Sequence, residues 1–452
     1  MHYDTPAIPT CVINLFETLR GQLCDAEFVA RNRARAQDFT RQRQLTFPIV
    51  MLFVLQKTVK SLQRHLHEFL DELARGELFE PVTAGAFTHA RAKLKHAAFI
   101  ELNQQTIVPW FYGPERVQGL RRWHGHRLLG VDGSLLRLPN SAELRQAFSL
   151  VEVENQMGRT GTSYPEARMS VVYDLLNRVS LDGRLERSTS GEVDLAIEQL
   201  CKASAGDVLI NDRGFTGYRY LAWHHKLGLH HISRCSKGSF GLAQELFRIN
   251  RAGCSKVVTL KARAQERAEL ERLNLPLELA VRFLSVRLPT GELEVLVTSL
   301  LNEQEYPTEE FLEVYHWRWG HETFYKIIKG RLDLENFSGH TAEAVRQDFY
   351  ATLLLCNLET ILVEPTDAQM REQSLAHKNA RQVNQAVAFH AVKEELIELL
   401  YSDTPLEQVI EKLQRLFCGC PVSARPKRKP PRLKPSMHRS HHFQRHVRKI
   451  VF

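Results

Sequence analysis

Apolar and polar positions follow two rhythms along this chain, and the change between them divides it. Up to about residue 118 the apolar residues recur at helical spacing, most clearly from Val50 to Leu73, with few strand signals. From about Arg121 the period shortens. RLLGVDGSLLRLP predicts a strand interrupted at Asp132, and ARMSVVYDLLNRVSLDGRLER predicts a β-hairpin turning at Asn177 and Arg178. VDLAIEQLC then reads as a helix, DVLIND as a buried strand running into Asp212, GYRYLAWHHKLG as a helix and HHISRCS as another strand. Between Cys235 and Leu300, KVVTLKA and LELAVRFLSVRLPTGELEVLVTSLL predict further strands, the last two joined by a turn from Pro289 to Glu292. Residues 341–363 and 387–415 return to amphipathic helical spacing, and no internal repeat is visible.

One helical stretch carries unusual chemistry. In YHWRWGHETFYKIIK, from Tyr315 to Lys329, the side chains of Tyr315, Arg318, Glu322 and Lys329 fall within an arc of about 60° on a single helix. Trp317, Gly320, Phe324, Ile327 and Ile328 fall on roughly the opposite side, so one face can be buried while a phenol, two cations and one carboxylate face outward. A lone carboxylate among phosphate-binding groups needs acidic partners. Asp132 in LLGVDGS and Asp212 in DVLINDRGF, each at the end of a strand-like segment, are the candidates.

These three segments together resemble the DDE transposases of the insertion sequence 4 family. In that family the first Asp is followed by Gly and Ser or Thr, as in Asp132, Gly133 and Ser134, and the second opens an Asp-Arg-Gly-aromatic run, as in Asp212 to Phe215. The acid in the Tyr-Arg-Glu-Lys helix corresponds to Glu322, and the Arg-Trp pair to Arg318 and Trp319. His321 departs from the family, which more often has an aliphatic residue there, and the expected consequence is for packing rather than chemistry.

The resemblance implies an α/β protein. Its ribonuclease H-like catalytic domain would span 119–375, interrupted by a β-rich insertion at 235–300. A helical DNA-binding region (1–118), a helical C-terminal region (376–420) with a dimerisation role and a basic tail (421–452) would flank it. It further implies that Asp132, Asp212 and Glu322 are catalytic and hold two Mg²⁺ ions, with Mn²⁺ able to substitute, since Mg²⁺ takes carboxylate oxygens and completes its shell with water and substrate phosphate. Tyr315, Arg318, Lys329 and Arg213 would contact DNA, and Trp319 would stack on a flipped base unless it is an ordinary core residue. The implied activity is cut-and-paste transposition through end cleavage, a hairpin intermediate and strand transfer. The partners would be terminal inverted repeats, target DNA and a second copy of the chain.

Charge refines this picture. Net charge is +8, but from Pro421 to the end there are ten Lys or Arg and no acid, leaving 50 cationic against 52 acidic side chains in the first 420 residues. DNA affinity in the globular part must therefore come from local patches. Two are visible: Arg31, Arg33, Arg35, Arg41 and Arg43, and the segment VTAGAFTHARAKLKHAAFIELN, with a predicted N-cap at Thr83 and a basic face of Arg91, Lys93 and Lys95. The latter reads equally as a recognition helix or as an exposed basic helix. Eight scattered Cys read as reduced thiols; Cys418 and Cys420 with the tail histidines fit no structural zinc spacing. No apolar run is long enough to span a bilayer, and no secretory signal is expected, which points to the bacterial cytoplasm. Glycoside hydrolysis has no use for a phosphate-gripping Arg and Lys beside the acid. A hydrolytic nuclease and a catalytically inactive, transposase-derived DNA-binding regulator stay open.

Overall fold

The computed structural model describes residues 5–41, 43–58, 60–75, 80–154, 160–374 and 380–423; the basic tail lies outside the described residues from 424 onward. The chain packs into two compact units. The first comprises residues 1–117, 137–165 and 328–452, the second residues 118–136 and 166–327. The N- and C-terminal helical regions, expected as separate bodies, thus belong to one unit.

Within the first unit, the helix Phe47–Leu55 is apolar on every side, and all nine of its residues are buried. Such a helix must be surrounded by others. Its neighbours include Thr10–Cys24, Leu396–Leu400 and the long helix Ala342–Gln373, whose first turn is capped by the Thr341 hydroxyl accepting from the Ala344 N–H at 3.1 Å. The run expected to be helical from Val50 to Leu73 is broken into Phe47–Leu55 and Leu62–Ala74. At the break Lys57 Nζ donates to the carbonyls of Asp333 and Leu334, each at 3.3 Å. Thr83 caps the helix Ala84–Arg91 as the sequence predicts, accepting from the Ala86 N–H at 3.1 Å.

The strands are β1 (Leu128–Arg137), β2 (Ser149–Glu154), β3 (Thr160–Asp174), β4 (Ser180–Arg187), β5 (Val208–Asn211), β6 (His230–Arg234), β7 (Ser255–Lys261), β8 (Glu278–Arg287) and β9 (Leu293–Thr298). In the second unit the sheet order is β4-β3-β1-β5-β6-β9-β8-β7, while β2 pairs with the start of β3 in the first unit. β3 and β4 form an antiparallel hairpin whose turn places Arg178 in the left-handed region at φ 60°. β1, β5 and β6 are parallel neighbours, and β5, covered on both faces, is buried at every residue, which is why it reads as a continuous apolar run. The β4-β3-β1-β5-β6 core has the mixed strand pattern expected of a ribonuclease H-like domain. The β-rich segment does not form a sheet of its own. β9 pairs antiparallel with β6, and β8 and β7 follow, extending the central sheet. Two helices in this segment, Gly241–Ile249 and Ala264–Arg272, have no counterpart among the elements the sequence predicts.

Candidate active site

Strand register brings the two aspartates together. β1 and β5 are in parallel register with Leu128 opposite Val208 and Gly130 opposite Ile210; two residues further along each strand come Asp132 and Asp212. Parallel neighbours lie roughly 4.8 Å apart, so the shared register sets the two aspartates side by side where β5 ends, while β1, expected to break at Asp132, runs on to Arg137. The end of β5 is fixed from below by Asn211, which accepts from the Tyr220 hydroxyl at 3.0 Å and donates to Ser233 at 3.3 Å.

Glu322 comes from a helix, though not from the single helix predicted. Glu310–His316 and Trp319–Lys326 are separate helices, followed by a π-helical turn Ile327–Arg331. Between them Trp317, Arg318, Gly320 and His321 donate to the carbonyls three residues back rather than four. This local tightening carries Tyr315 and Arg318 nearly in line along the axis. It also turns Trp317, expected in the core, outward to 38 % exposure. The second helix seats on the sheet through His321, Phe324 and Tyr325. His321 is buried and Nε2 donates to the Val171 carbonyl at 2.9 Å; Phe324 stacks on Tyr173 at 4.3 Å; the Tyr325 hydroxyl donates to the Asp132 carbonyl at 2.5 Å. His321 therefore packs, as expected, and burial pushes its pKa down to about 4, keeping it neutral.

Arg318 is the centre of the cluster. Its guanidinium, on a residue only 7 % exposed, lies 2.8 Å from Glu322 and 3.8 Å from Asp212, and packs against the rings of Trp319 and Tyr315. The Tyr315 hydroxyl points to Asp212 across a long 3.5 Å contact. Burial opposes the charge of Arg318, but Tyr315, Asp212 and Glu322 together raise its pKa. The Asp132 carboxyl is pushed up to about 7, first by burial and then by the negative charge of Glu192, with Asp212 contributing least.

Glu192 is the residue that sequence reading missed. It opens the helix Glu192–Gln199, and its Oε1 accepts from the Gly133 N–H at 2.8 Å, the same N–H that donates to Asp132 Oδ1 at 2.9 Å. Arg168 on β3 stands 3.7 Å from the other Glu192 oxygen. The only sequence signal was an acid in a helix's first turn, which ordinarily answers the helix dipole. All the acidic donors are oxygen, the set that suits Mg²⁺ or Mn²⁺. Among the described residues no three His, Cys, Asp or Glu side chains are gathered closely enough to grip one ion, and Arg318 stands between Asp212 and Glu322.

The remaining predicted DNA contacts divide. Arg213 is exposed on the turn after β5, with Glu292 at 3.9 Å. Trp319 is half-buried beside Arg318, and Lys329 lies in the π-helical turn where the first unit resumes. Lys93, in the first unit, is half-buried beside a groove. Arg91 must be corrected: it is 4 % exposed and pairs with buried Asp348 at 2.7 Å, while also donating to Gln347, Ser338 and the Ala344 carbonyl. Every arm of its guanidinium is engaged inside the first unit, so it holds that unit together and does not reach DNA.

A helix glutamate is thus joined by one arginine to a strand-end aspartate, with a second aspartate in register beside it. The family model described as Transposase DDE domain matches residues 123–358, more than half of the chain, and the protein belongs to that family. It is 23 % identical over 367 residues to Transposase InsG for insertion sequence element IS4 of Escherichia coli (strain K12), covering 77 % of this chain and 78 % of the relative. A solved piggyBac transposase synaptic complex with hairpin DNA covers 92 % of this chain and 88 % of its own at 10 % identity, with a TM-score of 0.42.

Proposed function

We propose that this transposase moves an insertion sequence by a metal-dependent cut-and-paste reaction at the cluster of Asp132, Asp212 and Glu322. The observation that carries the reading is Arg318, which ties Glu322 to Asp212 from a helix that also anchors the Asp132 peptide through Tyr325. The three carboxylates would hold two Mg²⁺ ions, with Mn²⁺ as a substitute, and these supply activation of the attacking oxygen and stabilisation of the leaving one. Arg318 forks onto a backbone phosphate when DNA arrives, releasing the two carboxylates it bridges. The Tyr315 hydroxyl donates to a phosphate oxygen, Lys329 and Arg213 add positive charge along the strand, and the face of Trp319 supports an unstacked base.

The sequence of bonds follows the family. Water attacks the phosphorus at the element's end, and the bond to the 3′-oxygen breaks to leave a 3′-hydroxyl. That hydroxyl attacks a phosphorus of the opposite strand, closing a hairpin and expelling the 3′-oxygen of the flanking DNA as a hydroxyl. Water reopens the hairpin, and the freed 3′-hydroxyl attacks a phosphorus of target DNA, expelling a target 3′-hydroxyl. Two copies of the chain pair the element's two ends, recognised at their inverted repeats.

Glu322→Gln tests the reading. Gln keeps the shape and helix preference of Glu but offers a weaker donor to a hard cation. Gel-shift binding to DNA flanking the reading frame should persist. Nicking, hairpin formation and strand transfer should fall together by about 100-fold or more, since loss of outer-shell partners alone costs 10–100-fold. Near-normal cleavage by the variant would remove Glu322 from the metal site. A parent protein inert with both Mg²⁺ and Mn²⁺ would instead favour the regulator without catalysis.

A further inference from the structure

The first unit contains a groove of about 710 Å³ lined by residues 37–41 and 43–45 and by the helix Ala84–Arg91. Its construction follows from a short antiparallel bridge. Arg33 pairs with Leu94, the Ala34 N–H donates to the Lys93 carbonyl at 2.7 Å, and the Lys95 N–H donates to the Asn32 carbonyl at 2.9 Å. The chain leaving this bridge is turned by Phe39, held at φ 57° in the left-handed region that a bulky side chain rarely adopts, with its ring set edge-on against Phe47 at 5.4 Å. The turn carries Arg41 and Arg43 to one wall of the groove, while the helix supplies His89 and the turn that follows it supplies Lys93 to the other.

Four basic side chains therefore face one concavity, and none of these side chains makes a hydrogen bond or ion pair with another described residue. The one acid in the lining, Asp38, is buried and accepts from the Arg35 N–H at 2.9 Å. The other arginines of the sequence cluster are committed differently. Arg31 is paired with Glu101 at 2.7 Å, and Arg33 folds back toward the Asp38 carbonyl. A groove that gathers four basic side chains around a single buried carboxylate suits a polyanion.

We propose that this groove is a contact for the sugar-phosphate backbone of duplex DNA, formed by Arg41, Arg43, His89 and Lys93, and that it binds without reading sequence. The transposase reading supplies only the identity of the polyanion; the groove itself is independent of the catalytic cluster. Exposed cations of this kind act by releasing counterions, and they carry no base-specific geometry.

The test uses the full chain with all three cations neutralised, R41Q/R43Q/K93Q, and a second variant, Ala86→Glu. Ala86 lines the groove, is exposed and occupies the third position of its helix, where Glu completes a capping box with Thr83. The added charge thus repels phosphate without weakening the fold. Fluorescence anisotropy over a salt series would compare the DNA flanking the reading frame with a random duplex of equal length. In the triple variant the slope of log K against log salt should shrink by about 2 to 3, at 0.9 per phosphate contact, and both duplexes should be weakened alike. Ala86→Glu should weaken both duplexes as well. Unchanged slope and affinity in both variants would overturn the proposal. So would a loss confined to the flanking DNA, which would mean that the groove reads bases. Glu322→Gln, which leaves the groove intact, tests the catalytic reading separately, so either idea can fail without the other.

Discussion

Gly133 has room for a hydrogen, and nothing larger, on the side that faces Glu192. A Cβ there would sit 2.3 Å from Glu192 Oε1, so Gly133→Ala would push the carboxylate off the N–H it shares with Asp132. The far end of Glu can swing away, and the stability cost should be that of one hydrogen bond, about 0.5–1.5 kcal/mol. Catalysis should suffer more, because the peptide after Asp132 loses one of its anchors. Glu192→Ala removes the same anchor first; in that background Gly133→Ala should cost little further cleavage. A double-mutant cycle on cleavage rate checks this, and strictly additive effects would show that Glu192 does not act through Gly133. Asp132, Asp212 and Glu322 drew attention in the sequence because each sits in a short motif whose neighbours are also chemical. Glu192, Arg168 and Tyr325 were not, since an acid opening a helix, an arginine in a strand and a tyrosine on a packed face are ordinary until the sheet brings them to Asp132. Arg91 shows the reverse error. Its charge was visible, but its partner Asp348 is 257 residues away and no local pattern announces it.

At the scale of elements, strands with one clear rhythm were read correctly: the β3–β4 hairpin, β5, β6 and the β8–β9 turn. What escaped was the break in the helix that carries the acid, because a single glycine, Gly320, is too weak a signal to announce the tightening from Trp317 to His321. That break matters for Arg318, which it places between two carboxylates. Removing the guanidinium leaves Asp212 and Glu322 facing each other without a cation, a repulsion that a divalent ion relieves. Arg318→Ala should therefore bind Mn²⁺ more tightly than the parent in the absence of DNA, by about tenfold or 1.4 kcal/mol, while strand cleavage falls because no fork remains for the phosphate. Calorimetric titration of the two proteins with Mn²⁺ is the measurement. Equal or weaker Mn²⁺ binding by the variant would mean that Arg318 does not compete with metal for these carboxylates.

For the whole molecule, the sequence suggested the kinds of elements but not their grouping, since the helices before residue 118 and after residue 328 share a core that only long-range packing creates. The same packing buries histidines, and this gives the protein an acid limit. In the second unit, His224 and His231 stand 5.6 Å apart; burial lowers the pKa of His224 to about 4, and that of His231 falls well below the usual range, through burial first and the neighbouring His224 ring second. His65 in the first unit is likewise lowered to about 4, by burial and then by Lys60. Such rings are neutral in the native state, whereas in the unfolded chain they take up protons near pH 6.5. Between pH 6.5 and about 4 the unfolded state thus binds more protons, and stability that is complete above pH 6.5 is lost as the pH falls. Each ring contributes a slope of up to about 1.4 kcal/mol per pH unit in that window. Urea midpoints measured from pH 8 to pH 5 should decline below about pH 6.5, because three buried rings outweigh the opposing carboxyl of Asp132, which is pushed up to about 7 and takes up its proton first in the native state. His224→Phe keeps a ring in the core but cannot take a proton. It forfeits the bond that Nδ1 makes to the Tyr220 carbonyl at 2.8 Å, so its midpoint at pH 8 should be lower than the parent's. Its decline between pH 7 and pH 5 should nevertheless be shallower. A variant whose midpoint falls as steeply as the parent's would show that the proton uptake driving acid unfolding occurs elsewhere in the chain.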